Sequence, residues 1–202
     1  MPENRTVKNL QEHIIVSPIG HFDTQILDQV GLEIHRITGY STLTSSVLQD
    51  IDFAFESSRD QYCSTPLLEK LADLSPPGAI KIIAICSVDL FIPILTYVYG
   101  EAQLGGKACI ISTHRLNEGL GTVPSEIFIQ RVVKEAIHEL GHTFNLRHCK
   151  DHACCMHYCR TIKDVDRKTH QLCRYCKVLL EDEMKRMAKK HRYMIDIPRI
   201  IF

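Results

Sequence analysis

The chain carries no net charge. Its 24 Lys+Arg balance its 24 Asp+Glu, so there is no global electrostatic case for a nucleic-acid or membrane partner. No apolar run reaches transmembrane length, and residues 1–12 are polar, without the apolar core of a signal peptide. Internal repeats and low-complexity linkers are also missing. A secreted disulfide framework does not fit, because the nine cysteines are odd in number and six of them crowd into residues 149–176. That pattern suits thiolate metal ligation in a reducing compartment, so a cytoplasmic protein is expected. Cys63, Cys86 and Cys109 lie in or beside apolar stretches and read as inert buried thiols.

At 202 residues, with 45% hydrophobic content, the chain is long enough for one domain with a substantial core. Charge is unevenly placed: residues 160–202 hold twelve Lys/Arg against six Asp/Glu, including Lys185, Arg186, Lys189, Lys190 and Arg192. A solvated helix face is the preferred reading of that stretch over a nucleic-acid patch.

Residues 138–148 read His-Glu-Leu-Gly-His-Thr-Phe-Asn-Leu-Arg-His. On a helix, His138 and His142 share a face one turn apart, where two imidazoles can bind one zinc ion and Glu139 can reach its water. His148 lies six residues further on, too far for that face. The helix must therefore end and the chain turn back, and Asn145, tolerant of a left-handed backbone, is the candidate stop. A composition like this yields H-E-x-x-H by chance in roughly one chain in thirty, and with the third histidine in roughly one in five hundred. Downstream, Cys149 and Cys154 are followed by the Cys173-x-x-Cys176 pair, a set able to close a four-thiolate zinc site. Met156 stands between the two pairs.

These residues resemble the archaemetzincin family of zinc peptidases, whose pattern runs H-E-x-x-H-x-x-G-x-x-H-C, four residues, C-x-M, about seventeen residues and C-x-x-C. His138, Glu139, His142, His148, Cys149, Cys154, Met156, Cys173 and Cys176 follow it in order. Two departures stand out: Asn145 replaces the glycine, and sixteen residues separate Met156 from Cys173. Upstream, Arg59-Asp60-Gln61-Tyr62, Val88-Asp89-Leu90-Phe91, Tyr99-Gly100-Glu101-Ala102 and Ser112-Thr113-His114-Arg115-Leu116 also look like family segments. The resemblance implies an α+β (α/β/α-like) fold of metzincin type, a mixed twisted sheet with packed helices, plus a small zinc-stapled C-terminal subdomain. One metallopeptidase domain over residues 1–202 is expected, with subdomains at 1–144 and 145–202. The resemblance also puts Met156 in a tight turn beneath the catalytic metal. Tyr158 sits where astacin-type metzincins carry a tyrosine that reaches the zinc region. A tyrosine packed within the C-terminal subdomain is the plainer reading, and the preferred one from sequence.

Periodicity sketches the rest. Residues 14–19 suit a strand, 23–38 a helix stopped by Gly39, and 47–55 a strand alternating at Ile51, Phe53 and Phe55. A helix is expected over 59–74, a buried strand over 79–86, and another strand over 107–112. Residues 89–97 stay ambiguous, and 108–112 read equally as an edge strand open to an extended peptide or as an internal strand. The metal-bearing helix should begin near Pro124, with Ile129, Val133, Ala136, Ile137, Leu140 and Phe144 as its apolar stripe. A last helix should cover 174–191.

Three neutral histidines leave one zinc position for water, acidified to a pKa of about 7. Glu139 is then the general base of peptide hydrolysis. Four thiolates leave no open position, so the cysteine zinc is a staple worth on the order of 10 kcal/mol. A quartet using Cys155 or Cys159 stays open from spacing alone, while the resemblance selects Cys154. Two zinc ions, one catalytic and one structural, are expected, with a peptide or protein substrate, no membrane or nucleic acid, and a monomer. The competing readings are a non-catalytic double-zinc protein binding a partner through its basic C-terminal end, and a zinc hydrolase of a non-peptide amide.

Overall fold

The computed structural model describes residues 12–121 and 126–195, with side chains followed to Lys189. Pro124, the expected start of the metal-bearing helix, lies outside the described residues, as do residues 1–11 and the side chains of Lys190 and Arg192. A five-stranded sheet forms the centre, ordered β2 (Ser41–Thr44), β1 (His13–Ile19), β5 (Ala79–Cys86), β8 (Ala108–Ser112), β7 (Gly100–Ala102). The first four run parallel, and β7 closes one edge antiparallel to β8, with Gly100 opposite Ile111. A small second sheet orders β3 (Phe55–Glu56), β4 (Gln61–Cys63) and β6 (Leu90–Phe91).

Strands β1, β5 and β8 are apolar on both faces, because helices cover both. On one face Ile14, Val16, Ile83, Ile85, Cys109 and Ile111 pack into a cluster with α1 (Thr24–Thr38) and α3 (Glu126–Thr143). On the other, Ile15, Ile82, Ala84 and Ile110 meet Leu67, Leu68 and Leu71 of α2 (Ser64–Asp73). The α3 cluster continues without a break into Cys154, Cys155, Met156, Val165 of α4 (Ile162–Arg167), and Cys176 and Leu180 of α5 (Arg174–Ile195). The mixed α/β architecture is the one expected. Helix α1 also matches its signals: the Asp23 side chain accepts from the Gln25 N–H at 2.9 Å, and Gly39 ends the helix at φ 75°.

Three expectations are corrected, and two open readings are resolved. Residues 47–54 form no strand, and of the expected stretch only Phe55 joins one, β3. Buried Leu48, Ile51 and Ala54 recur every three residues and lead into a 3₁₀ turn at Asp52–Ala54, while Phe53 and Phe55 stay exposed; an apparent alternation was a three-residue period. Helix α2 starts at Ser64, because residues 61–63 pair in the small sheet before it. The ambiguous stretch 89–97 supplies β6 and then leaves the sheet. Strand β8 is internal, and the edge beside it is β7, too short at three residues to show a period. Helix α5 runs four residues past the expected end at 191. The expected stripe of α3 is present, but the helix is buried almost all round from Arg131 to Gly141.

What ends α3 places the third histidine. Asn145 adopts φ 62°. Its N–H bonds the His142 carbonyl at 2.9 Å, and the Leu146 N–H reaches back to the Gly141 carbonyl at 3.1 Å, the bonding of a Schellman turn. The Gly105 N–H also donates to the His142 carbonyl, at 2.8 Å. Left-handed backbone costs a β-branched residue about 1–2 kcal/mol and glycine nothing. Asn145→Val should therefore lower the unfolding free energy by about that much in urea denaturation, and Asn145→Gly should match or slightly exceed the parent. Equal stability of all three would show that the turn does not depend on this backbone angle.

Candidate metal centre and catalytic cleft

His138 and His142 project from α3 toward one point, with their Nε2 atoms 3.2 Å apart. The turn at Asn145 brings His148 back beside them, its ring centroid 5.3 Å from His138 and 4.9 Å from His142. One ring nitrogen from each of the three lies within 4.8 Å of the others. The remaining nitrogens of the helical pair are committed: His138 Nδ1 lies 2.9 Å from the Cys155 carbonyl, and His142 Nδ1 lies 2.7 Å from the Leu146 carbonyl. A carbonyl only accepts, so each Nδ1 carries the proton and each Nε2 presents a lone pair. Burial first, with the Lys168 ammonium adding to it, holds all three imidazoles below the ordinary histidine pKa and so neutral. Two neutral Nε2 lone pairs at hydrogen-bond distance, with no proton between them, repel unless a cation sits there. The donor set suits a zinc ion, with backbone carbonyls fixing the rings.

Glu139 lies on α3 beside this centre, buried against β7. A Cβ built on Gly100 would meet Glu139 Cγ at 2.6 Å and the Ile110 carbonyl oxygen at 2.6 Å, so the absence of a side chain at Gly100 makes room for the carboxyl. Burial above all, then the charge of Glu135, pushes the Glu139 carboxyl up to about 8, while Lys168 pulls the other way. A dication at the histidines would favour its ionised form, as Lys168 already does.

Glu135 and Lys168 were not found by sequence reasoning. They form an ion pair at 2.8 Å, with 3% and 0% of their side chains exposed. Burial works against the Lys168 ammonium, but Glu135 together with Cys155 and Cys159 offsets it, and the pKa is raised above the ordinary lysine value. Glu135 could have been suspected, since it lies one turn before Glu139, inside an apolar stripe where a carboxylate needs a partner. Nothing local marks Lys168.

Cys149, Cys154, Cys173 and Cys176 form a second cluster, their sulfurs all within 4.8 Å of one another and Cys149–Cys173 at 3.8 Å. Burial raises the Cys154 and Cys176 thiols, while the Cys176 N–H and the surrounding sulfurs hold Cys173 down against its own burial. Cys155 and Cys159 stand apart from it. The Cys155 thiol donates to the Lys134 carbonyl at 3.2 Å, and Cys159 lines the cleft over the histidines. None of the nine cysteines is in a disulfide. Burial pushes the Cys86 thiol up to about 12 and that of Cys109 well above its usual value, in keeping with inert core thiols, whereas Cys63 is half-buried.

Met156 is fully buried under α3. A Cβ on Gly141 would come within 2.5 Å of its sulfur, so a helical glycine admits the methionine beneath the histidines. Tyr158 is not packed away: it is 43% exposed, its ring 5.0 Å from that of His148, on the wall of a cleft of about 530 Å³. The three histidines, Glu139, Tyr97, Tyr99, Gly100 and Arg160 line the same cleft.

Gly100→Ala is expected to lower stability by about 1–3 kcal/mol, the usual cost of overpacking, because backbone as well as side chain obstructs the new methyl. It should also displace Glu139 or β7 in a crystal structure. A variant of unchanged melting temperature with Glu139 in place would show that the carboxyl does not depend on this gap.

The family model for peptidase family M54 matches residues 12–182. Among curated proteins, an archaemetzincin of Methanopyrus kandleri is 38% identical over 135 residues, 67% of this chain and 74% of that protein. An archaemetzincin of Halobacterium salinarum is 32% identical over 166 residues, 80% of this chain and 95% of that protein. The crystal structure of the Methanopyrus kandleri archaemetzincin superposes with a TM-score of 0.79 at 29% identity, covering 88% of this chain and 98% of that one. A zinc-dependent peptidase from Methanocorpusculum labreanum gives 0.75 at 26% identity, over 83% of this chain and 100% of that one. The chain therefore belongs to peptidase family M54, the archaemetzincins, and is a zinc metallopeptidase.

Proposed function

We propose that the chain hydrolyses peptide bonds at the three-histidine centre, with His138, His142 and His148 holding the zinc and Glu139 acting as general base. The observation that carries this reading is the convergence of neutral ring nitrogens, fixed by backbone carbonyls, beside a buried carboxyl. Zinc bound there supplies Lewis acidity, lowering the pKa of water and polarising the carbonyl under attack. Glu139 takes the proton of the attacking water and returns it to the leaving amine. The non-catalytic reading has no use for a carboxyl buried at such cost.

Cys149, Cys154, Cys173 and Cys176 would hold a second, structural zinc, making two ions per chain; this quartet has no open position. Strand β7 offers its free edge to an extended peptide, and Glu139 lies against that strand at Gly100. Tyr158, exposed in the cleft beside His148, is placed to donate a hydrogen bond to the oxyanion that develops in the transition state. Free thiols suit a reducing compartment such as the cytoplasm, and no helix among the described residues is long and apolar enough to cross a membrane.

Glu139→Gln keeps size and hydrogen bonding but cannot accept the proton. By elemental analysis it should retain two zinc ions per chain, while peptide hydrolysis falls by about 10²–10⁴. Full activity in the zinc-loaded variant would remove Glu139 from the chemistry, and one zinc in both proteins would remove one of the two centres. Tyr158→Phe deletes only the hydroxyl. Turnover should drop about tenfold or more with little change in KM. A loss of thermal stability at unchanged turnover would make the tyrosine structural.

A further inference from the structure

Building on the peptidase reading above, we propose that Arg160 binds the free α-carboxylate of the leaving fragment, so that the enzyme cleaves peptides close to their C-terminus. Strand β7 sets the direction. A peptide pairing antiparallel with its free edge runs from Ala102 toward Gly100, and on past Tyr99, Val98 and Tyr97. Glu139 stands against Gly100, so the bond under attack lies at that end of the strand. The cleft's lining from this rim comes wholly from residues 92–100, the side on which the C-terminal part of such a peptide would lie.

That side is short. The Tyr97 hydroxyl donates to the Arg160 carbonyl at 3.1 Å and ties one rim of the cleft to the other. Three residue steps with a bend at Tyr99 separate Gly100 from Tyr97, at most about 10 Å of chain. Tyr97 is itself held, because the Arg115 guanidinium stacks 4.0 Å over its ring while bonding both Asp89 oxygens at 2.8 and 2.7 Å. A leaving fragment of about one to three residues fills the space before this tie.

Arg160 is the one arginine or lysine among the residues that line the cleft. Its backbone is fixed, its N–H bonding Asp164 at 3.2 Å where the Thr161 capping box opens α4. Its guanidinium lies 5.9 Å from the Tyr158 ring, and among the described residues no carboxylate pairs with it. A planar guanidinium fork matches a carboxylate with two parallel hydrogen bonds. An acidic side chain in a longer substrate would offer the same chemistry, so the test must separate the two sources.

Zinc-loaded full-length protein would be given one peptide sequence in three forms: a free C-terminal acid, a C-terminal amide, and an amide with a glutamate near its C-terminus. The free acid should show kcat/KM at least tenfold above the plain amide, mostly through KM, with short C-terminal products by mass spectrometry. Arg160→Ala should bring the acid-to-amide ratio close to one, and Arg160→Lys should restore part of it. Equal cleavage of acid and amide, a preference that survives Arg160→Ala, or a preference for the internal glutamate alone would each overturn the proposal. If no peptide is cut, the peptidase reading fails separately. Calorimetry on the zinc-loaded Glu139→Gln protein then still decides, since free-acid peptide must bind at least tenfold tighter than the amide and lose that margin when Arg160→Ala is added.

Discussion

Helix α3 carries charged and ring-polar side chains through the middle of the protein, and each of them must find a partner there. Arg131 bonds both oxygens of Asp166 at 2.8 Å and the carbonyls of Leu116 and Glu118. Glu135 takes Lys168, His138 takes the Cys155 carbonyl and His142 the Leu146 carbonyl. A buried polar group without a partner costs about 1–3 kcal/mol, and breaking a buried ion pair about 3–5 kcal/mol. Most of these partners come from residues 146–168. That segment is therefore required by the polar content of α3 at least as much as by its own apolar residues.

The arrangement explains why Glu139 is the exception. It is the one buried acid on this helix with no cationic partner of its own, since Lys168 pairs with Glu135 one turn away. Its carboxyl is held high by burial, and the histidine centre is the place from which a compensating positive charge would come. A buried carboxyl of this kind stays protonated at neutral pH, and a cation at the histidines would favour its ionised form.

How much of this was legible in the sequence follows from the range of each interaction. The histidines, Glu139, the stop at Asn145 and the cysteine spacing are local, fixed by helix geometry and the coordination chemistry of side chains a few residues apart. The three-residue burial period of 48, 51 and 54 defeated a reading tuned to helices and longer strands. Strand β7 is three residues long and shows no period, so the edge position was assigned no better than evenly to its neighbour β8. Lys168 pairs across 33 positions of sequence, and only the fold says which buried acid it serves. Tyr158 illustrates the same limit: whether it packs or faces the cleft depends on the path of residues 149–159, which no local preference determines.

The two candidate metal clusters are mechanically one unit. Cys149 follows His148 directly, and its N–H bonds the Met156 carbonyl at 2.9 Å. Cys154 precedes Cys155, whose carbonyl orients His138, and Met156 fills the gap that Gly141 leaves beneath the ring pair. Gathering the four sulfurs thus fixes, within two residues on either strand of this loop, one histidine by adjacency, a second by its hydrogen bond and the packing under both. Without the sulfur cluster, a loop with little apolar surface of its own would have to hold that geometry against its conformational entropy, at about 1–2 kcal/mol per ordered residue. A metal held by four thiols would have no open position for chemistry, and the cluster would make the position of His148 a consequence of folding.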